Sequence, residues 1–156
     1  MSSSTPLLTA LLGVPVRAGD RAAYVEALVG YLDGPKAVSA YCMAALDRIM
    51  NKAMGLMTAD SIFAALALYL SERPGGGLWG TGALILLLVA VGLCCTTLWS
   101  TSSGIAAHRV NEQAILQHGM SLVFGRTARF TVALWLSGLA YLFILVQVVL
   151  GLVIAP

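Results

Sequence analysis

Charged side chains are scarce in this chain. Only 10% of its 156 residues are Asp, Glu, Lys or Arg, whereas a soluble domain carries about 25%. Hydrophobic residues make up 59% of the chain. A soluble protein of this size would have to cover its surface with apolar side chains, so the deficit excludes an ordinary soluble domain and indicates lipid as the solvent. The net charge of +2 is too small to indicate a nucleic-acid partner.

Histidine and cysteine are also rare, which limits metal and catalytic chemistry. His108 and His118 do not share a helical face, and the i,i+4 pair of His108 with Glu112 is typical of a solvated surface contact. Cys94 and Cys95 are adjacent in an apolar run, where cysteine acts as a small hydrophobe. The odd number of cysteines, three, argues against a disulfide framework. We therefore predict no metal site, no cofactor, no catalytic residue and no enzyme activity.

Three segments are long and apolar enough to cross a bilayer core of about 30 Å. The first, Ala53 to Leu70, is interrupted only by Asp60, and the others, Leu78 to Leu98 and Phe130 to Ile154, carry no charge. The sequence therefore predicts an all-α integral membrane protein with three transmembrane helices and a small cytoplasmic helical extension.

The cations predict how these spans are oriented. Eight of the nine fall before the first span or in the 99–129 segment, and only Arg73 falls between the first two spans. Because cytoplasmic loops are enriched in Lys and Arg, the N-terminus and the 99–129 segment are predicted to be cytoplasmic. The C-terminus and residues 71–77 are then on the opposite side of the membrane.

The segment upstream of the first span is predicted to be helical. Asp33-Gly34-Pro35 is a helix-start signal, and no proline follows until Pro74. A single helix over 36–70 would be about 52 Å long, so part of it must project beyond the bilayer core. A shorter helix is expected over about 20–32.

The domain organisation follows from these elements. We predict a cytoplasmic N-terminal helical segment over 1–35, followed by the long helix and a three-span membrane domain over 36–156. The 99–129 segment is predicted to be a cytoplasmic arm, with a helix end at His118-Gly119 because glycine favours the residue after a helix C-cap.

Asp60 is the first candidate for a functional residue. A carboxylate in a spanning helix costs about 2.5–3.5 kcal/mol on insertion scales, so it is a functional hypothesis by default. With Thr58 and Ser61 beside it, it forms a candidate intramembrane polar site. One interpretation is an acid that lines a pore or accepts a proton. A second is an acid that is protonated or hydrogen-bonded between helices and fixes their packing. A third is an acid at the membrane interface, if the boundary of the span is shifted.

A basic set forms the second candidate site. Four cations are expected on the cytoplasmic side near the spans and are candidates for binding an anionic ligand, namely Lys52, Arg109, Arg126 and Arg129. The alternative is that they set the topology and contact anionic headgroups, worth about 1 kcal/mol per cation.

Small residues recur at i,i+4 spacing within the spans. The pairs are Gly55 with Ala59, Ala90 with Cys94, and Ala133 with Ser137. Small side chains at this spacing let two helices approach closely. They predict tight helix packing within one protomer or between protomers.

The stretch from Leu46 to Leu70 reads LDRIMNKAMGLMTADSIFAALALYL. It resembles the first membrane segment of the small bacterial Pycsar transmembrane effector family, where a cytoplasmic helix runs through a Lys-Ala/Gly-rich start into the first span. The matching positions are Asn51-Lys52-Ala53, Gly55 and Asp60. The resemblance covers about 25 residues in motif and most of the chain in layout.

This resemblance implies an anti-phage effector that damages the bacterial inner membrane when a cyclic nucleotide is made. It thereby implies a cyclic-nucleotide ligand. A homo-oligomer in the lipid bilayer is expected because three spans are too few to enclose a broad channel within one protomer, and the cations predict a cytoplasmic N-terminus and a periplasmic C-terminus. The chain has no separate cyclic-nucleotide-binding domain, so sensing would be left to the cytoplasmic helices. The competing interpretation is an accessory or structural subunit of a larger membrane protein complex.

Overall fold

The computed structural model describes Val14 and residues 18–72, 77–99 and 112–154. In these residues the chain forms four α-helices: α1 (Ala18–Tyr31), α2 (Pro35–Ser71), α3 (Gly77–Trp99) and α4 (Glu112–Ile154). Three of them, α2, α3 and α4, are long and apolar enough to cross a membrane. The prediction of an all-α protein with three membrane-spanning helices is confirmed.

The connection between α1 and α2 is fixed by local backbone chemistry. Asp33 and Gly34 both have positive φ, at 54° and 113°, a conformation that ends a helix and that Asp and Gly tolerate. The Gly34 amide donates to the Val29 carbonyl at 3.3 Å, which satisfies one of the free carbonyls at the end of α1. Pro35 then opens α2, where its missing N–H costs nothing.

The sequence prediction is right for α2 and wrong for α4. The single helix predicted over 36–70 is confirmed, because α2 has 37 residues without a break. The predicted helix end at His118-Gly119 is wrong, because α4 runs through it for 43 residues in all. A Cβ on Gly119 would lie 4.0 Å from the Cys42 sulfur. Gly119 therefore lies where α4 passes close to α2.

The chain divides into two compact units. We call Met1–Asn51 with Trp99–Thr131 the arm unit, and Lys52–Leu98 with Val132–Pro156 the span unit. Both α2 and α4 contribute to each unit. The core of the arm unit is formed by buried residues of α1, α2 and α4 together with Val14, namely Val25, Val38, Cys42, Leu116, Met120, Val123 and Phe124.

The span unit has a core of mostly small side chains at alternating spacings of three and four. On α3 the buried residues are Gly80, Ala83, Leu87, Ala90, Cys94 and Thr97. On α4 they are Ala133, Ser137, Ala140, Ile144 and Gln147. This is the seven-residue repeat by which helices interlock side chains along a shared seam. Two of the three predicted small pairs, Ala90 with Cys94 and Ala133 with Ser137, lie in this core, whereas Gly55 is exposed.

The outward face of the span unit is apolar. Large hydrophobic side chains on all three helices are more than half exposed, including Ile62, Leu88, Leu142 and Leu145. A protein in water rarely exposes so continuous an apolar surface. This surface is compatible with a location in a membrane, where lipid tails cover it.

Helices α2 and α3 approach each other closely where α2 ends and α3 begins. A Cβ on Gly80 would lie 2.9 Å from the Ser71 Cβ and 3.0 Å from the Ala67 carbonyl oxygen. Gln147 of α4 donates its side-chain amide to the Leu70 carbonyl at 2.8 Å. That carbonyl is among the last four of α2, which have no partner within the helix. At this end of the span unit, Gly80 therefore allows α3 to pack closely against α2, and Gln147 joins α4 to α2 by a hydrogen bond.

We predict that Gly80→Ala destabilises the span unit by about 1–3 kcal/mol, because the added methyl meets backbone atoms that cannot move cheaply. The matched control is Gly92→Ala on the same helix, where a Cβ meets nothing within 4 Å. The control should be neutral or stabilising by at most about 1 kcal/mol. Equilibrium unfolding in mixed micelles measures both, and equal stability of the two variants would contradict the close approach.

Candidate functional site: a buried carboxylate in the span unit

Asp60 lies in the core of the span unit and has no exposed surface. On α2 it is seven residues from both Ala53 and Ala67, which are equally buried. Residues seven apart in a helix lie on one face. The carboxylate therefore occupies a core position in the repeat that packs α2 within this unit.

Two hydroxyl groups of α4 bind the Asp60 carboxyl group. The Tyr141 hydroxyl donates to Oδ1 at 2.6 Å, and the Ser137 hydroxyl donates to Oδ2 at 2.8 Å. Residues four apart lie one above the other on a helix, so Ser137 and Tyr141 present their hydroxyls to the same carboxyl group. The Phe63 ring lies 4.3 Å from the Tyr141 ring, centroid to centroid, and holds it in place.

The Ser137 hydroxyl has a second acceptor within reach. Its oxygen lies 3.0 Å from the Ala133 carbonyl oxygen, one turn back on α4. A serine hydroxyl carries one proton and two lone pairs. It can thus turn its proton to Asp60 or to its own helix without changing position. Cys94 of α3 is, like Asp60, fully buried in the core of the span unit.

Thr58 and Ser61, the predicted companions of Asp60, face away from it. Both are exposed, and their hydroxyls donate to carbonyls of the same helix, those of Met54 at 3.0 Å and Met57 at 2.8 Å. Together with Leu98 they line a separate shallow groove of about 380 Å³. The structure therefore does not bring Thr58 and Ser61 together with Asp60.

Sequence reasoning missed the true partners of Asp60. Ser137 carried one signal, its place in a small-residue pair, but that signal predicts packing and not hydrogen bonding. Tyr141 carried none, because it lies 81 residues from Asp60 along the chain. The spacing of Ser137 and Tyr141 places both hydroxyls on one face of a helix, but the sequence does not show that this face packs against Asp60.

The members of the basic set lie on different parts of the chain. Lys52 is exposed on α2 in the span unit, whereas Arg126 and Arg129 lie on α4 in the arm unit, half-buried and exposed respectively. Arg109 lies outside the described residues. Within the part of the chain that the structure describes, no group of three or more His, Cys, Asp or Glu residues could hold a metal ion.

No protein-family description, curated protein or solved structure matches this chain. The fold and the site define a three-span helical membrane protein whose most polar core residue is a carboxylate held by two hydroxyl groups.

We predict that Asp60 and Tyr141 stabilise the span unit jointly. In a double-mutant cycle of Asp60→Ala with Tyr141→Phe, the coupling free energy should be about 1–2 kcal/mol, the upper range for hydrogen bonds between membrane helices. Reversible unfolding in mixed micelles provides the four stabilities.

The control cycle pairs Ser61→Ala with Tyr141→Phe. Ser61 is on the same helix but bonds only to its own backbone, so the two effects should add within about 0.5 kcal/mol. Absence of coupling in the Asp60 cycle would show that the hydroxyl of Tyr141 does not bind Asp60 in the membrane. Equal coupling in the control cycle would show that the coupling is not specific to Asp60, which also contradicts the prediction.

Proposed function

We propose that this protein is an effector of an anti-phage cyclic-nucleotide response, which acts as a homo-oligomer to perturb the bacterial inner membrane. The observation that carries the proposal is the hydrogen-bonded carboxylate in the core of the span unit. The resemblance around Asn51-Lys52-Ala53 and Asp60 supplies the biological setting. We propose a cytoplasmic N-terminus and a periplasmic C-terminus, which the cation distribution supports.

A carboxylate in the core of the span unit is costly, and packing alone does not explain its presence. Asp60 has no exposed surface, and a leucine at this position would avoid the cost of burying a charged or strongly polar group. A well-packed apolar side chain is often at least as stabilising as a buried polar contact. Stability alone is therefore a poor reason for Asp60, and a role in a second state of the protein is a better one.

In our proposal the hydrogen bonds hold a closed state. The Asp60 carboxyl group joins α2 to α4, and it is satisfied there by Ser137 and Tyr141. When α2 separates from α4, the carboxyl group loses both donors and requires water or a polar group from another protomer. Assembly of several protomers around hydrated carboxylates would then provide a polar path through the membrane.

The continuity of the helices offers a route for activation. Both α2 and α4 begin in the arm unit and continue without a break into the span unit, where they carry Asp60 and Tyr141. A ligand that changes how these helices pack in the arm unit would bias the contact between them. An equilibrium shifts only by the ligand's difference in affinity for the two states, so the ligand must prefer the open packing.

The test is a measurement of membrane potential in cells that express the protein, with a potential-sensitive dye, in the presence of candidate cyclic nucleotides. The parent should depolarise the inner membrane. Asp60→Leu should insert normally and depolarise the membrane less, because it lacks the carboxyl group that would bind water in the open state. Tyr141→Phe should depolarise at a lower expression level, because one oxygen of the closed-state carboxyl group loses its donor.

The matched control is Ser61→Ala, one residue from Asp60 but exposed on the outside of α2. It should behave like the parent. If the purified protein is a monomer in lipid nanodiscs and its expression never changes the membrane potential with any nucleotide, the effector proposal fails. The accessory-subunit interpretation would then lead, with Asp60 a packing residue.

A further inference from the structure

The arm unit contains a cavity between α1 and α4 with a volume of about 260 Å³. Its floor is apolar and is formed by Val25, Met120 and Phe124, all of them buried. Its remaining walls include three polar side chains, those of Arg21, Gln117 and Ser121. A concave apolar floor with a few convergent polar groups is the usual form of a small-molecule site.

The polar side chains favour a negatively charged ligand. The Arg21 guanidinium carbon lies 5.8 Å from the centre of the Phe124 ring, so the cation and the aromatic face are presented side by side. A guanidinium has five N–H donors, so it can donate to an anion and still keep hydrogen bonds to other groups. Gln117 and Ser121 lie one turn apart on α4. The Ser121 hydroxyl donates to the His118 carbonyl at 2.7 Å, so the side-chain donors for an anion are the Arg21 guanidinium and the Gln117 amide.

Tyr24 packs beside Phe124 and is uncharged, so it places no negative charge next to the cavity. Tyr24 packs edge-on against Phe124, with ring centres 5.7 Å apart. Burial raises the pKa of Tyr24, and the neighbouring Tyr41 raises it further. The Tyr24 hydroxyl is therefore uncharged at neutral pH and does not repel an anion bound beside Phe124.

We infer that this cavity binds a small organic anion with a flat apolar body. The apolar body would lie on Val25, Met120 and Phe124, and the anionic group would pair with Arg21. The volume suits one ring system bearing one phosphate or carboxylate group. The inference rests on the proposed function only for the physiological meaning of the anion, because it assigns to the arm unit the site at which a signal is received.

The test uses the purified full-length protein in phosphatidylcholine nanodiscs and three probes, measured by calorimetric titration against empty discs. The probes are 1-naphthyl phosphate, inorganic phosphate and 1-naphthol. The naphthyl phosphate should bind about tenfold or more tightly than either half alone. Arg21→Gln should weaken its binding about tenfold or more, and Arg21→Lys should weaken it less, because lysine keeps the charge but loses the fork of donors.

Arg48→Gln is the matched control, because Arg48 is an exposed arginine of the same unit that bonds to the Ala44 carbonyl of its own helix. It should bind naphthyl phosphate like the parent. Thermal unfolding of each variant checks its fold. Equal affinity for naphthyl phosphate and inorganic phosphate, or parent-like binding by Arg21→Gln, would overturn the inference.

Two further arms separate related questions. Titration in discs that contain phosphatidic acid distinguishes the source of the anion: loss of naphthyl phosphate binding there identifies a lipid headgroup, and unchanged binding identifies a free solute. The titration does not depend on membrane potential. Binding of naphthyl phosphate without depolarisation in cells would therefore contradict the effector proposal and support the anion site. Depolarisation without binding would support the effector proposal and contradict the anion site.

Discussion

The need to satisfy one carboxyl group away from water constrains the rest of the span unit. A buried carboxyl group in a bilayer core is costly without a hydrogen-bond donor, because no water replaces the missing partner. Asp60 finds two on α4, Ser137 and Tyr141, which are four residues apart. A shift of α4 by one residue along α2 would remove both bonds at once. The hydrogen bonds therefore fix the register of the two helices, and the small side chains of the core pack in the register so fixed.

The same constraint applies at the end of α2. Its last carbonyls have no partner within the helix, and Gln147 of α4 donates to that of Leu70. Gly80 lets α3 approach the same turn closely. Asp60 and Gln147 are buried polar residues of mostly apolar spans, and each makes a hydrogen bond between α2 and α4. The polar contacts of the core thus connect the first span with the third at two levels.

Most of the helices could be predicted from the sequence, but one helix end and the contacts between helices could not. Charge scarcity and apolar run length predict three spans, and Asp33-Gly34-Pro35 predicts the start of α2, because these signals are local. The helix end predicted at Gly119 is wrong. The sequence does not distinguish a glycine that ends a helix from one that lets two helices pack closely, and Gly119 is of the second kind. Thr58 and Ser61 adjoin Asp60 in sequence, but each step along a helix turns the side chain by about 100°, so they face elsewhere. Tyr141 is found only once α2 and α4 are packed.

Solid-state NMR tests directly whether the Tyr141 hydroxyl binds the Asp60 carboxyl group in the membrane, on protein in lipid bilayers labelled with ¹³C at aspartate Cγ and tyrosine Cζ. If the hydrogen bond forms, a short-range cross-peak between the two carbons should be seen in the parent, disappear in both Tyr141→Phe and Asp60→Leu, and persist in Ser61→Ala. Absence of that cross-peak in the parent, or its persistence in Tyr141→Phe, would show that Tyr141 does not bind Asp60 there.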